Sequence, residues 1–140
     1  MPGRVRSATK VDLIRKVPLF AGLSRSELAQ VASIADEIDL PADRVLIREG
    51  ERGREFYVLL EGEAEVTRKG DRIVTRGSGE FFGEIALVSS LPRTATVTTR
   101  KPVRALVIRD VEFRALLQRT PAIALKVLSA VAERLPPEAA

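Results

Sequence analysis

The segment FFGEIALVSSLPRTATV, residues 81–97, places two charged side chains in a stretch that is otherwise apolar enough for a protein core. Glu84 follows a glycine, and Arg93 follows a proline nine positions later. Charged groups are rarely buried unless they are paired or face a ligand. The two residues therefore form either a structural ion pair that closes a loop or part of a binding site.

The residue types in this segment suit an anionic ligand that also carries a sugar. The stretch GEIALVS predicts one or two helical turns, whose first amides lack partners within the helix and attract anions. The missing side chain of Gly83 lets a ligand oxygen approach the backbone, and the fork of Arg93 fits phosphate oxygens. Glu84 would repel a bare phosphate, so we expect it to accept a hydrogen bond from a neutral donor such as a ribose hydroxyl.

The composition excludes several classes of function. The chain has 140 residues, enough for one domain with a single core. It has no cysteine and no histidine, which removes thiolate metal sites, cysteine nucleophiles and the commonest general base. No apolar run is long enough to span a bilayer and no signal-peptide pattern is present, so we expect a cytoplasmic protein without membrane contact. The net charge of +4 comes from scattered basic residues, which is typical of a solvated surface.

The predicted elements run from helices to strands and back to helices. We expect a flexible N-terminus over residues 1–9, helices over 10–35, a β-roll over 37–109, C-terminal helices over 110–135 and a tail over 136–140. Short segments rich in β-branched residues indicate the strands, which are EIDLP, RVLIREG, EFYVLLEG, EAEVTRKG, RIVTRG, TATVTTR and VRALVIRD. The predicted fold class is therefore mainly β with flanking helices, a jelly-roll-like antiparallel barrel.

Helix boundaries are marked by capping residues. Ser24 and Glu27 have capping-box spacing, and Asp110 is a candidate N-cap for the helix that follows the last strand. Thr120 before Pro121 predicts an N-cap and a first-position proline for the final helix. That helix is apolar on more than one side, so it is expected to cover the barrel and, in addition, a ligand or a partner.

The quoted segment resembles the phosphate-binding cassette of the cyclic-nucleotide-binding domain family, which is found in catabolite activator proteins, protein kinase regulatory subunits and nucleotide-gated channels. The family pattern F-G-E-[IL]-A-L followed by P-R-[TSA]-A is matched without gaps over residues 82–95. VPLFAGLSRSELAQVA is similar to the family's N-terminal helical entry, and RVLIREGERGREFYVLLEGEAEV to its early strands, with Gly50 and Gly62 at the matching turns. The resemblance covers nearly the whole chain and implies the same β-roll.

The resemblance implies a role for each matched position. Arg93 would pair with the cyclic phosphate, Glu84 would accept the ribose 2′-hydroxyl, and Val66 and Val74 would pack on the base. The final helix would act as a lid over the base, with contacts from Val131, Arg134 and Leu135. The expected ligand-binding residues are Phe82, Gly83, Glu84, Ile85, Ala86, Arg93, Thr94, Ala95, Val66, Val74, Arg134 and Leu135.

The function that the resemblance implies is reception of cAMP without catalysis, cofactor or metal. In the family a threonine at the position of Thr94 can reach the guanine amino group, so cGMP stays open as a second ligand beside cAMP. Binding would draw in the cassette, residues 81–97, and move the C-terminal helices, which would act on an unknown effector protein. We also expect no contact with nucleic acid by this chain alone. The two-sided C-terminal helix leaves two alternatives open, a homodimer through its exposed side or a helix that lies over the base.

Other functions stay open at this point. A phosphodiesterase or a cupin-like metalloenzyme is disfavoured by the lack of histidine and cysteine. A DNA-binding regulator needs a long dimer helix and a helix-turn-helix after the roll, for which the chain is too short. A ligand-free interaction module of the same fold and the receptor half of a larger regulator or channel also remain, although Met1 and the tail favour a free-standing domain.

Overall fold

A computed structural model gives the structure over residues 7–84, 87 and 92–134. Three of the expected site residues, Ile85, Ala86 and Leu135, lie outside these described residues. The same is true of the expected tail, 136–140.

Helices flank the strands at both ends of the chain. The first part contains α1 (Ser7–Arg15), a 3-10 helix (Pro18–Phe20) and α2 (Arg25–Ile34), and the last part contains α3 (Asp110–Arg119) and α4 (Pro121–Arg134). The strands are β1 (Ala35–Leu40), β2 (Val45–Ile47), β3 (Glu55–Glu61), β4 (Ala64–Arg68), β5 (Asp71–Arg76), β6 (Phe81–Phe82), β7 (Thr96–Thr99) and β8 (Val103–Arg109). The expected order of helices, β-roll and helices is therefore confirmed.

The strands form two antiparallel sheets of four strands each. Their orders are β1-β8-β3-β6 and β2-β7-β4-β5. The central strands β3 and β8 are buried on both faces, so their sequences are continuously apolar. Phe56, Val58, Leu106 and Ile108 pack under the helices, whereas Tyr57, Leu59, Val103 and Ala105 point into the roll.

Local details depart from the sequence predictions at three places. α1 begins at Ser7, three residues before the expected helix start at Lys10. β6 was not predicted, because a strand of two residues is too short to show an alternation of apolar and polar side chains. Its residues Phe81 and Phe82 pair with Val58 and Tyr57 of β3. Asp110 is the first residue of α3 rather than its N-cap, which is Arg109, and the Asp110 carboxylate accepts the amide of Val111 at 2.8 Å.

The predicted capping box is present at the start of α2. Ser24 Oγ accepts the amide of Glu27 at 3.1 Å, and the Glu27 carboxylate accepts the amide of Ser24 at 2.8 Å. Two of the helix's orphan amides are thereby satisfied. α2 buries Leu28 and Val31 against the outer face of the first sheet, which fixes the N-terminal helices on the roll.

The C-terminal helices turn sharply at Pro121, the predicted first residue of α4. Ile123 and Val127 of α4 are buried, whereas Leu125 and Leu128 are 67% and 64% exposed, so the helix is apolar on two sides as predicted. In residues 7–84, 87 and 92–134, no single helix is both long and apolar enough to cross a membrane. α3 and α4 reach that length and composition only when taken together, and they are bent by 116°.

Gly62, in the β3–β4 turn, is required for two reasons. Its φ of +97° lies in the left-handed region, and a Cβ atom there would collide with the Pro102 carbonyl and lie 2.9 Å from Val103 Cγ2. Gly70, in the β4–β5 turn, has a similar φ of +85° but open space around it. Replacing either glycine with alanine would therefore strain the backbone in the same way. Only at Gly62 would the added Cβ also collide with neighbouring atoms.

We predict that Gly62→Ala lowers the free energy of unfolding by about 2 kcal/mol more than Gly70→Ala, since only the first must displace backbone of the facing loop. Urea denaturation of both variants and the parent protein measures the difference. Equal losses of stability for the two variants would contradict the close contact between Gly62 and the Pro102–Val103 backbone.

Candidate functional site

A cavity opens between the two sheets where the cassette meets the roll. It holds about 440 Å³ of non-atom space, a figure that includes space open to solvent. The lining residues are Ile47, Val66, Arg76, Phe82, Gly83, Glu84, Arg93, Thr94, Ala95, Val97 and Arg134.

Most of the described candidate residues meet in this cavity. The structure brings together Phe82, Gly83, Glu84, Arg93, Thr94, Ala95, Val66 and Arg134. Val74 pairs with Val66 across the β4–β5 ladder but does not line the cavity. Val131 packs against the helix-side core. The binding roles of all these residues stay predictions.

Arg93 is a buried cation held by backbone carbonyls. Its side chain is almost inaccessible, and its two terminal nitrogens donate to Gly83 O at 2.9 Å and Glu55 O at 2.7 Å. Burial lowers the pKa of Arg93 from its ordinary value, and the nearby Tyr57, Glu55 and Glu84 only partly offset that effect. Within the described part of the chain, Arg93 makes no salt bridge with a carboxylate. A guanidinium in this position is stabilised by an incoming anion.

Gly83 makes the approach of Arg93 possible. Its φ is +94°, and a Cβ atom would lie 3.0 Å from Glu55 O and 3.1 Å from Arg93 Nη1. A side chain at this position would therefore separate the guanidinium from the carbonyls that hold it. The glycine expected to admit a ligand oxygen also admits the arginine.

Glu84 is paired with Arg134, not with Arg93. The carboxylate is 1% exposed, and Arg134 Nη1 donates to its two oxygens at 2.7 and 2.8 Å. The ion pair between Glu84 and Arg93, weighed above as the structural alternative, is thus not formed. Glu84 and Leu87 are both helical, as expected for the cassette.

Arg134 also contacts an aromatic column that runs from the cassette to α3. Its guanidinium carbon lies 4.8 Å from the centre of the Phe81 ring, within cation–π range. Phe81 contacts Phe56 at 5.5 Å between ring centres, and Phe56 stacks on Phe113 at 4.3 Å. The end of α4 is therefore tied to the cassette by one charged and one aromatic contact.

The charges that line the cavity leave one positive charge unmatched. Among the residues that the structure describes, three guanidiniums and one carboxylate line it. Arg134 is matched by Glu84, and Arg76 by Glu80 at 3.1 Å. Arg93 remains, so the cavity is electrostatically suited to a ligand with a single negative charge.

Sequence reasoning missed four residues that shape the site. Ile47 and Val97 line the cavity as ordinary strand residues, and Glu55 contributes only its carbonyl, so no sequence signal marks them. Arg76 lines the cavity as well. It stands two positions after Val74, and strand alternation could have placed it on the same face.

The fold and this cavity define a ligand-binding β-roll domain. A profile of the family described as cyclic nucleotide-binding domain matches residues 37–120, more than half of the chain. The chain belongs to this family, so the expected family and fold are confirmed.

Curated relatives carry the same domain within longer proteins. The chain is 35% identical over 123 residues to a cyclic nucleotide-gated potassium channel of Rhizobium etli, which covers 88% of this chain and 34% of the channel. It is 34% identical to a putative potassium channel protein of Rhodopseudomonas palustris, covering 83% of this chain and 29% of that one. A cAMP-dependent protein kinase regulatory subunit of Yarrowia lipolytica is 35% identical over 74% of this chain and 28% of its own. The chain thus spans about a third of the length of these relatives.

Solved structures share the fold. The regulatory domain of Toxoplasma gondii PKA, crystallised with cAMP, has a TM-score of 0.82 at 24% identity and covers 93% of this chain and 51% of its own. The catabolite activator protein of Thermus thermophilus has a TM-score of 0.74 at 25% identity and covers 84% of this chain and 57% of its own.

We predict that Arg134→Met lowers the free energy of unfolding by about 3 kcal/mol, because it leaves the buried Glu84 carboxylate unpaired. This is the low end of the range for a broken buried pair, since 19% of the Arg134 side chain is exposed. Adding Glu84→Gln to Arg134→Met should recover part of the loss, because a neutral amide is less costly to bury. Chemical denaturation of the parent, both single variants and the double variant tests the coupling; a double variant as unstable as the sum of the singles would contradict the pairing.

Proposed function

We propose that this domain is a receptor for a cyclic nucleotide, with cAMP as its ligand and cGMP as a second one. The observation that carries the proposal is the buried Arg93 guanidinium, which lacks a carboxylate partner in the described structure and lies beside the buried carboxylate of Glu84. The names of the relatives support the choice of ligand, since one is a cyclic nucleotide-gated channel and another a cAMP-dependent regulatory subunit.

In this proposal the singly charged cyclic phosphate binds at Arg93 and at the backbone of Gly83, Thr94 and Ala95. A six-membered cyclic phosphodiester carries one negative charge, which matches the charge of Arg93, a cavity residue without a carboxylate partner in the described part of the chain. The ribose 2′-hydroxyl donates to Glu84. An ionised carboxylate offers about four lone-pair sites, so Glu84 can accept this hydroxyl while Arg134 still donates to it.

The response to the ligand follows from the contacts of α4. Because Arg134 on this helix holds Glu84, a ligand that bonds Glu84 changes the strength of the contact between α4 and the cassette. The ligand shifts the position of α4 only by its different affinity for the two positions. The protein on which α4 acts, a homodimer through its exposed Leu125 and Leu128, and a cytoplasmic location stay predictions.

Calorimetric titration with cAMP tests the assignment of Arg93. We expect Arg93→Met to weaken the affinity for cAMP by roughly two to four decades. The reason is that the buried phosphate loses its charged partner, which costs about 3–5 kcal/mol. Arg100→Met is the matched control, since it removes the same charge from an exposed position paired with Glu65 and Asp43. Circular dichroism must show that both variants are folded, because Arg93 also holds two carbonyls. A folded Arg93→Met that binds cAMP as tightly as the parent would refute the site.

Incubation with cAMP tests whether the domain binds this nucleotide without hydrolysing it. We expect cAMP to stay intact when it is incubated with the domain and Mg²⁺, Mn²⁺ or Zn²⁺, because the site offers a phosphate clamp and no histidine to serve as a general base. Chromatography for AMP measures the outcome. Formation of AMP that depends on the protein and is lost in Arg93→Met would favour a phosphodiesterase instead.

A further inference from the structure

Arg76 is a charged residue on the inner face of the roll. It ends β5 and pairs across the ladder with Ala64, which is fully buried. Strand alternation places it on the same face as Val74, two residues earlier, and its side chain lines the cavity. A cation is unusual at such a position unless a partner or a ligand meets it.

The hydrogen bonds of Arg76 are only partly satisfied. Nη1 donates to Glu80 Oε2 at 3.1 Å, and the other oxygen of Glu80 accepts the amide of Gly77 at 2.9 Å. Glu80, itself held by the Gly77 amide, therefore binds one terminal nitrogen of the Arg76 guanidinium. Nε of Arg76 is buried and has no hydrogen-bond partner among the described residues. An unsatisfied buried donor is destabilising, and such a group calls for an explanation.

The position of Arg76 points to one part of the ligand. This step rests on the proposed function, in which the phosphate lies at Arg93 and the ribose at Glu84. The base is then left for the β4–β5 side of the cavity, where Val66 and Arg76 lie. A purine offers in-plane acceptors along its major-groove edge: N7 in every purine, and O6 in guanine and hypoxanthine. Adenine instead presents a donor at position 6.

We propose that Arg76 contacts the base, donating to N7 and O6 of a 6-oxopurine, and so strengthens the binding of cGMP and adds cIMP to the ligands of this site. Arginine with guanine O6 and N7 is the commonest specific contact between proteins and bases, because the fork matches both acceptors. Adenine can accept only at N7 and brings its 6-amino group toward the cation. Arg76 therefore strengthens binding of 6-oxopurines relative to adenine.

Titration with three nucleotides distinguishes the contribution of Arg76 to base preference from that of Thr94, the other residue expected to contact the base. Hypoxanthine has the 6-oxo group of guanine but lacks the 2-amino group that Thr94 is expected to contact. The ratio of the cAMP and cIMP dissociation constants thus reports on Arg76, and the ratio for cIMP and cGMP reports on Thr94. Calorimetric titrations with all three nucleotides are compared for the parent, Arg76→Met, Arg76→Lys and Arg72→Met. The last variant is the control, since Arg72 is an exposed arginine on the same strand.

We expect Arg76→Met to weaken cIMP and cGMP about tenfold more than cAMP, the scale of a lost bidentate contact to a base. Arg76→Lys should keep part of the difference, and Arg72→Met should leave all three ligands as in the parent. An equal loss for the three nucleotides would mean that Arg76 acts on the phosphate or on the fold, and it would overturn the inference. No loss for any nucleotide would also overturn it.

A ligand-side test covers the case in which Arg76→Met fails to fold. The 7-deaza analogue of cGMP, with carbon in place of N7, should bind the parent protein about tenfold more weakly than cGMP. Equal affinity of the two would overturn the inference while leaving the proposed function intact. Failure of the parent to bind any cyclic nucleotide would refute the proposed function, and the inference would fall with it.

Discussion

The arrangement of the site depends on the burial of Arg93. A guanidinium in the interior needs its donors satisfied and its charge compensated. The first need is met by the carbonyls of Gly83 and Glu55, which join the cassette to the start of β3. The second is not met by any salt bridge among the described residues. The backbone of Gly83 and of Glu55 thus holds a buried cation without a carboxylate partner in the described structure, which costs stability. Under the proposed function, a bound phosphate would offset that cost.

The second charged group, Glu84, connects this site to the helices. Its ion pair with Arg134 ties the end of α4 to the cassette, and Lys126 of the same helix donates to Pro18 O at 3.0 Å and Ala21 O at 2.9 Å at the 3-10 helix. A ligand that bonds Glu84 therefore acts on a helix that is anchored at both the cassette and the N-terminal helices. Under the proposed function, this contiguous set of contacts would couple ligand binding to the position of α4.

Much of the fold was predictable because it depends on local patterns. The capping box at Ser24, the positive φ of Gly62 and the two-sided α4 all follow from residue type and period. β6 and the N-terminal extension of α1 were not predictable, since two paired aromatics and a polar helix start carry no distinct signal. In the site, Glu84 and Arg93 were marked by charge in an apolar segment. The Glu84–Arg134 pair joins residues 50 positions apart, and only the packing of α4 on the cassette brings them together.

A crystal structure of the domain with cAMP tests the central claim most directly. We expect a phosphate oxygen within roughly 2.7–2.9 Å of an Arg93 nitrogen and the ribose 2′-hydroxyl on Glu84, as is usual for charge-assisted hydrogen bonds. A nucleotide that lies elsewhere, while Arg93 still bonds only the two carbonyls and Glu84 only Arg134, would contradict the proposed site.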